Sequence, residues 1–552
     1  MKKQIAPLLF LLCLALSTSA QITMGLLQAD STNVDGYVLF SPLTYNETYL
    51  IDKCGRKINE WPATYRPGNS VYLLEDGTLL RTGNLMNPAF SAGGSGGYIE
   101  KVSWTGQIVW SYEVSDANRL QHHDVYPMPN GNVLVLLFEK KTLLEAFDAG
   151  LDTIFSGTEF FTEKIIELQP LGTDSATIIW EWSVWDHLIQ QHNSSKSNFG
   201  VVQSHPELVH INFNITATST NPDWIHLNAV TYNPALNQII LCSRFFSEFW
   251  IIDHSTTTTS ASGHVGGKYG KGGDILYRWG NPRTYNRGIV SDQKLYGPHS
   301  AHWILDSLND GGAVMVFNNG TGRPGGNYST VEVIHLPQDS AGYYTQDTAN
   351  AFGPLQANWT YTDPVPTSFF SMNISNAQRL PNGHTLICEG SSGTFFEIDS
   401  IGNTVWQYKN PVNQNGPATQ GNNIFINQVF RSLFYAPDYP AFQLYPPTAG
   451  SPIEFNPQPS PCTMNTGIEN LSVSSLHLYP NPSTGAINIH GNGLRHTGRI
   501  TIFNSEGKMF YNYEIESNHQ PISINTSLPN GFYCLHYFDG MKFQLIKFVV
   551  QQ

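Results

Sequence analysis

Over most of the chain, apolar and polar residues alternate in short runs that end at Gly, Pro, Asn or Asp, which predicts strands rather than helices. One segment recurs in which a Gly precedes an apolar residue, an aromatic and a further Tyr or Trp. Gly106-Gln107-Ile108-Val109-Trp110-Ser111-Tyr112 and Gly402-Asn403-Thr404-Val405-Trp406-Gln407-Tyr408 are the clearest copies. Looser copies occur at Gly55 to Trp61, Ile178 to Trp182, Ile275 to Trp279 and Asn358 to Tyr361, making six. Between them lies a second repeat, a tight turn flanked by apolar strands: Leu74 to Leu80, Met128 to Leu134 and Leu380 to Leu386. Its Asp-Gly or Asn-Gly pair supplies the positive φ angles of a two-residue hairpin turn. Strand, hairpin, strand and aromatic-bearing strand is the order of a propeller blade. Because the two elements alternate along the chain, the pattern predicts an all-β protein built on a six-bladed β-propeller, in preference to a sandwich with chance repeats.

The pattern changes twice. Residues 1–20 read as a signal peptide: Lys2 and Lys3, an apolar run from Leu8 to Leu16, then Thr18-Ser19-Ala20 before Gln21. The run is too short to span a bilayer, and no later stretch is apolar and long enough to do so. The propeller is expected over residues 21–443. Residues 444–470, rich in Pro, Ser and Asn, read as a linker, and 471–552 as a small C-terminal β-sandwich. The tail opens with Leu478-Tyr479-Pro480-Asn481-Pro482-Ser483-Thr484-Gly485 and closes with Gly531-Phe532-Tyr533 and the strand Phe543 to Val550. These signatures resemble the type A C-terminal sorting domain of type IX secretion cargo. The resemblance implies the type IX machinery as a partner, passage through the outer membrane, and a secreted or cell-surface location.

Composition narrows the chemistry. A formal net charge of −14 argues against nucleic acid as a partner and requires any anionic substrate to find a local cationic site. Removal of the leader would leave Cys54, Cys242, Cys388, Cys462 and Cys534, too scattered for a disulfide framework or a zinc site. One or two disulfides are compatible with export, and the spacing does not choose between pairings.

Four segments carry candidate chemistry. In Gln121-His122-His123-Asp124-Val125, paired imidazoles beside a carboxylate could bind a metal, or give one imidazole whose tautomer the carboxylate fixes. In Asp223-Trp224-Ile225-His226-Leu227-Asn228, the side chains of His226 and Asn228 would share one face of a strand. Arg244, after the apolar run from Ile239, needs an ion pair or an anion. In Gly297-Pro298-His299-Ser300-Ala301-His302-Trp303, the two histidines are three apart and cannot share a face of a regular strand. Ser375-Asn376-Ala377-Gln378-Arg379 is the fourth. In a propeller, the innermost strands converge on one axis, so these segments could form a hydrogen-bond-donating, cationic pocket for a sulfate or phosphate group.

As a set, His122-His123-Asp124, Asp223 to Asn228 with Arg244, Asp274 to Pro282, and His299 before Phe317-Asn318-Asn319-Gly320 resemble the bacterial arylsulfate sulfotransferases. Members of that family use an aryl sulfate donor rather than a nucleotide cofactor. The resemblance implies transfer of a sulfuryl group to a phenolic acceptor by a ping-pong route through a sulfohistidine. It makes His299 the nucleophile. His123, His226, Asn228 and Arg244 would hold the sulfuryl oxygens, with Ser375 as a further hydroxyl contact. Pro298 stands where the family often has Gln, so His302 stays beside His299 as a candidate nucleophile, and His122 beside His123 as a candidate contact. No phosphate loop, dinucleotide fingerprint or cysteine metal site is present, so neither cofactor nor metal is expected. Two other readings fit the same residues: a lyase or hydrolase with His123, His226 and His299 as metal ligands, and a non-catalytic propeller that binds an anionic glycan. The sequence leaves the oligomeric state open.

Overall fold

The structure, a computed structural model, describes residues 22–345, 350–458, 462, 476–491, 498–504, 508–515, 522–525, 527–538 and 543–551. The expected leader lies outside them. Two compact units divide at residues 464 and 465.

The first unit is built from six antiparallel sheets of four or five strands. In chain order, their innermost strands are Val429–Tyr435, Pro67–Leu73, Arg119–Pro127, Leu227–Asn233, Pro298–Trp303 and Asn376–Arg379. Each of these strands neighbours the next, and the last neighbours the first, so together they surround an axis. The ring is closed by the chain's own ends. Val429–Tyr435 pairs with Tyr37–Pro42, which puts the last propeller strand in the first sheet. The N-terminal strand Gly25–Ala29 adds a fifth strand to the outer edge of the sixth sheet. Part of the stretch read as linker belongs to this unit: Arg56 bridges to Pro452, Ile453 is buried in the core, and Cys462 is disulfide-bonded to Cys54.

Both sequence repeats prove to be one turn. At Leu74–Thr78 and Met128–Asn132 the first residue's N–H donates to the fifth residue's carbonyl, and the glycine N–H donates back to the first carbonyl. The same pattern occurs at Leu380–His384, and the glycines of the aromatic repeat use it too, at Asp52–Arg56, Ser103–Gln107 and Asp399–Asn403. Only the fourth residue has positive φ, as Gly131 (87°) and Gly383 (83°) show, so these are hairpins with a glycine bulge rather than two-residue turns. Asp76, Asn130 and Asn382 each accept the N–H two residues on through a side-chain oxygen.

The repeated tryptophans stitch sheet to sheet. Trp61 donates to the Ser103 carbonyl (3.1 Å), Trp110 to Ser175 (2.9 Å), Trp182 to Gly273 (2.6 Å), Trp279 to Pro354 (2.7 Å) and Trp406 to Lys53 (2.7 Å). Each acceptor belongs to the next sheet round the ring or to the segment leading into it. Trp359 instead carries the Arg379 guanidinium over its ring at 4.8 Å. A buried indole needs a partner for its N–H, so the residue that fills the outer core also fixes neighbouring sheets against each other.

The second unit is a sandwich of one three-stranded and one four-stranded sheet over a core including Ile487, Ile489, Ile500, Ile502 and Leu535. Its two sequence signatures meet. Asn481 accepts from the Val549 N–H (2.9 Å), and Ser483 pairs with Val549 and Gln551 of the closing segment. Among the described residues, no helix is long and apolar enough to cross a membrane.

Candidate active site

The inner strands of five sheets are broken near the same level. Asn69, His123, His226, Ser300 and Ser375 all have positive φ, and the pairing register of four of these strands slips nearby. Left-handed backbone at non-glycine residues costs energy and gathers at functional sites. Here it interrupts the regular alternation of side chains across the sheet. Strand parity therefore does not govern His226 and Asn228: His226 lies before its strand, at φ 55°, and the register slips between Leu227 and Ala229.

Three imidazoles gather at this level. The ring of His123 lies 4.5 Å from that of His226 and 6.5 Å from that of His299 (centroid distances). Phe430 closes one side, 5.0 Å from His299 and 6.2 Å from His123. Phe245, 37% exposed, packs 4.9 Å from His226 and leaves an apolar aromatic at the edge of the cluster.

Each imidazole is held through one nitrogen. His299 Nδ1 donates to the Ser375 carbonyl at 3.0 Å, which leaves the lone pair on Nε2. Burial, reinforced by the Arg431 and Arg244 charges, pushes its pKa well below that of ordinary imidazole. His226 Nδ1 donates to Asp223 Oδ2 at 2.5 Å. His123 Nδ1 faces His122 Nδ1 at 2.9 Å, and His122 Nε2 faces Glu163 Oε2 at 2.8 Å. His122, stacked on Phe138 with ring centroids 3.6 Å apart, therefore stands behind His123. Burial lowers His122 to about 3 and, with the nearby Asp223 charge, raises Glu163 well above the usual carboxylate range. Both shifts disfavour an ion pair at this contact.

Asp124, adjacent in sequence, does not orient the histidines. Its carboxylate turns to Arg431 (2.8 Å), the Tyr72 hydroxyl (3.1 Å) and the Val230 N–H (3.1 Å). The orienting carboxylate is Glu163, on Phe160–Leu171, two strands out in the same sheet, which also accepts from the Leu227 N–H (2.9 Å) beside His226.

Arg244 donates through Nη2 to the Met372 carbonyl (3.1 Å), while its Nη1 is buried and has no partner among the described residues. Such a donor is suited to an anion. Asn228 donates to the Pro298 carbonyl (2.8 Å), and so holds the residue before His299. Ser375 meets His299 through its carbonyl; its hydroxyl donates to Ser371 Oγ and accepts from the Gly390 N–H. His302 faces elsewhere, lining a cavity of ≈360 Å³ with Tyr72, Tyr126, Trp303 and Arg431.

A family model, arylsulfotransferase (ASST), matches residues 43–420, more than half of the chain. The chain belongs to the arylsulfotransferase (ASST) family. A second model, the secretion system C-terminal sorting domain, matches residues 477–551 and marks this family member for export to the cell surface or beyond. A comparison with curated proteins found no match. Solved structures similar to the chain include a protein of unknown function from Bacteroides caccae (13% identity, 72% of this chain and 98% of that one, TM-score 0.39). A streptogramin B lyase is similar at 12% identity, 76% and 96% coverage and TM-score 0.34. The β-propeller domain of Cps50 (Swd1) from Myceliophteria thermophila is similar at 9%, 71% and 86%, and 0.35.

Two residues at this family member's site are not among the sequence candidates. Glu163 sits in an ordinary strand with nothing to single it out. Gly94 lies in the run Ser91 to Gly97, and a Cβ there would stand 2.1 Å from the His123 ring. A run of glycines ahead of the His-His pair was the available signal. Within Asp274 to Pro282, Arg278 does not reach this cluster: it makes a fully buried ion pair with Glu248 at 2.6 Å. Asn319 donates to the Ser371 and Ile374 carbonyls and holds the segment that carries Ser375.

Proposed function

We propose that this chain transfers a sulfuryl group from an aryl sulfate to a phenol by a ping-pong mechanism with His299 as nucleophile. The observation that carries the reading is the hydrogen bond from His299 Nδ1 to the Ser375 carbonyl. A backbone carbonyl can only accept, so the bond fixes the tautomer with its lone pair on Nε2, and burial keeps that form neutral.

In the first half-reaction the Nε2 lone pair attacks sulfur and the sulfur–aryl oxygen bond breaks. The departing phenolate takes a proton from Nε2 of His226, whose Nδ1–H is anchored on Asp223. The sulfuryl oxygens meet Arg244 Nη1 and His123. With Glu163 in its acid form, its O–H donates to His122 Nε2, the His122 Nδ1–H donates to His123 Nδ1, and His123 presents Nε2–H to the sulfuryl group. In the second half the acceptor phenol gives its proton to His226, its oxygen attacks sulfur, and the nitrogen–sulfur bond breaks. Phe245 and Phe430 offer apolar surface for the aryl ring.

The test is intact mass after brief incubation with 4-nitrophenyl sulfate alone. The expected result is a gain of one SO₃, stable to alkali and labile to acid, with one equivalent of nitrophenol, both absent in His299→Ala. An adduct that persists in that variant and vanishes in His302→Ala would move the nucleophile. Release of nitrophenol without any adduct would overturn the covalent route.

A further inference from the structure

We infer that the chain carries a divalent transition-metal site, of the kind zinc occupies, formed by His187, His264 and Asp274 at the rim of the propeller's third and fourth sheets. Their ligand atoms all lie within 4.8 Å of one another, and both His187 Nδ1 and His264 Nδ1 stand 2.8 Å from the same oxygen, Asp274 Oδ1. Ligand atoms around a four-coordinate zinc are ~3.3 Å apart, so small side-chain rotations admit the ion.

The tautomer of His187 supports the assignment. Its Nε2 lies 2.8 Å from the Ala261 carbonyl, which can only accept, so the proton sits on Nε2 and the Nδ1 lone pair points at a carboxylate oxygen. In the neutral ring that nitrogen is an acceptor facing an acceptor, a contact that a bound cation resolves. An imidazole that donates its far N–H to a backbone carbonyl and offers its near nitrogen is the usual arrangement behind a metal-bound histidine. The ring is fully buried and stacks on Trp182 (centroids 5.6 Å, 10° apart).

The surrounding backbone is shaped to the cluster. Gly273 lies so close that a Cβ would meet the Ala261 carbonyl oxygen at 2.0 Å and His187 Nε2 at 2.7 Å. Its N–H donates to the Gly263 carbonyl (2.9 Å), which folds the loop carrying His264 back over Asp274. The His264 side chain is 60% exposed, leaving a coordination position open to water. It also lines a cleft of ≈730 Å³ with His205 and with Glu145, Asp148 and Asp186, whose carboxylates favour the approach of a cation. The bound ion pins the glycine-rich loop of residues 262–273 against the turn at Val184–His187.

Titration of the full chain, stripped with chelator, with Co²⁺ and then Zn²⁺ tests the site. One equivalent of Co²⁺ should give visible bands of a four-coordinate ion, displaced by Zn²⁺, and Zn²⁺ should raise the unfolding temperature. His264→Ala changes an exposed side chain, so it should fold and weaken binding at least about 100-fold; Asp274→Asn should do the same. Absence of stoichiometric binding, or binding unchanged in both variants, overturns the site. So does binding that survives His264→Ala and is lost in His299→Ala, which would place the ion among the axial histidines.

Discussion

At His299, burial and hydrogen bonding act together: one keeps the imidazole neutral and the other decides which nitrogen is basic. A group held below the ordinary imidazole range keeps its lone pair as pH falls. The nitrophenol burst should therefore persist as pH falls from about 7 to 5.5, a range over which an unperturbed imidazole goes from mostly neutral to mostly protonated. Loss of the burst with an apparent pKa near the ordinary value would contradict this. Glu163 acts one residue removed. Glu163→Gln keeps an acceptor for the Leu227 N–H but presents an amide to His122, and should lower kcat about 10–100-fold with little change in KM. Gly94→Ala drives a methyl into the His123 ring at a positive-φ position and should cost at least ~100-fold in kcat/KM while folding is retained by circular dichroism. The histidines, Asn228 and Arg244 were legible because unusual polar residues border apolar strands. Glu163 and Gly94 were not, because their roles exist only in contact with His122 and His123. The reassignment of the orienting carboxylate from Asp124 to Glu163 has the same cause: adjacency in sequence does not determine direction once the strand is kinked.

Among the elements, the turn and the tryptophan were legible as repeats before their purpose was. Residue type alone does not show that the glycine of the aromatic repeat and that of the hairpin repeat occupy the same position of one turn. The identity follows from the hydrogen-bond pattern. Nor does the repeat reveal that each tryptophan serves its neighbour's backbone. Trp182→Phe keeps most of the ring but abandons the Gly273 carbonyl, a buried acceptor, and should destabilise the propeller by about 1–3 kcal/mol in chemical denaturation. The same substitution at Trp359, whose indole stacks under Arg379, should cost less, since a phenyl ring still carries a cation.

Across the whole molecule, the site depends on closure of the ring, and the acid sensitivity of the fold follows from the site. His122, His123 and His299 are buried and His302 is half-buried, all with lowered pKa values, and His210 is lowered to about 4. Unfolding returns each to the ordinary range near ~6.5, so below that pH these imidazoles bind more protons in the unfolded chain than in the folded one. Stability should be fullest above about pH 6.5 and decline progressively as pH falls below it. Thermal unfolding at about pH 5 should fall below that at 7.5, and a flat profile would show that these imidazoles take up protons without unfolding. By itself the sequence determined the strand content, the alternation of turn and aromatic strand, the sorting tail and which side chains were chemically unusual, because local periodicity and composition encode these. Tertiary structure decided which of those side chains meet, which imidazole nitrogen is free, which carboxylate stands behind the histidines and which cysteines join. Each depends on residues remote in the chain brought together by closure of the ring, and on backbone kinks that local periodicity does not record.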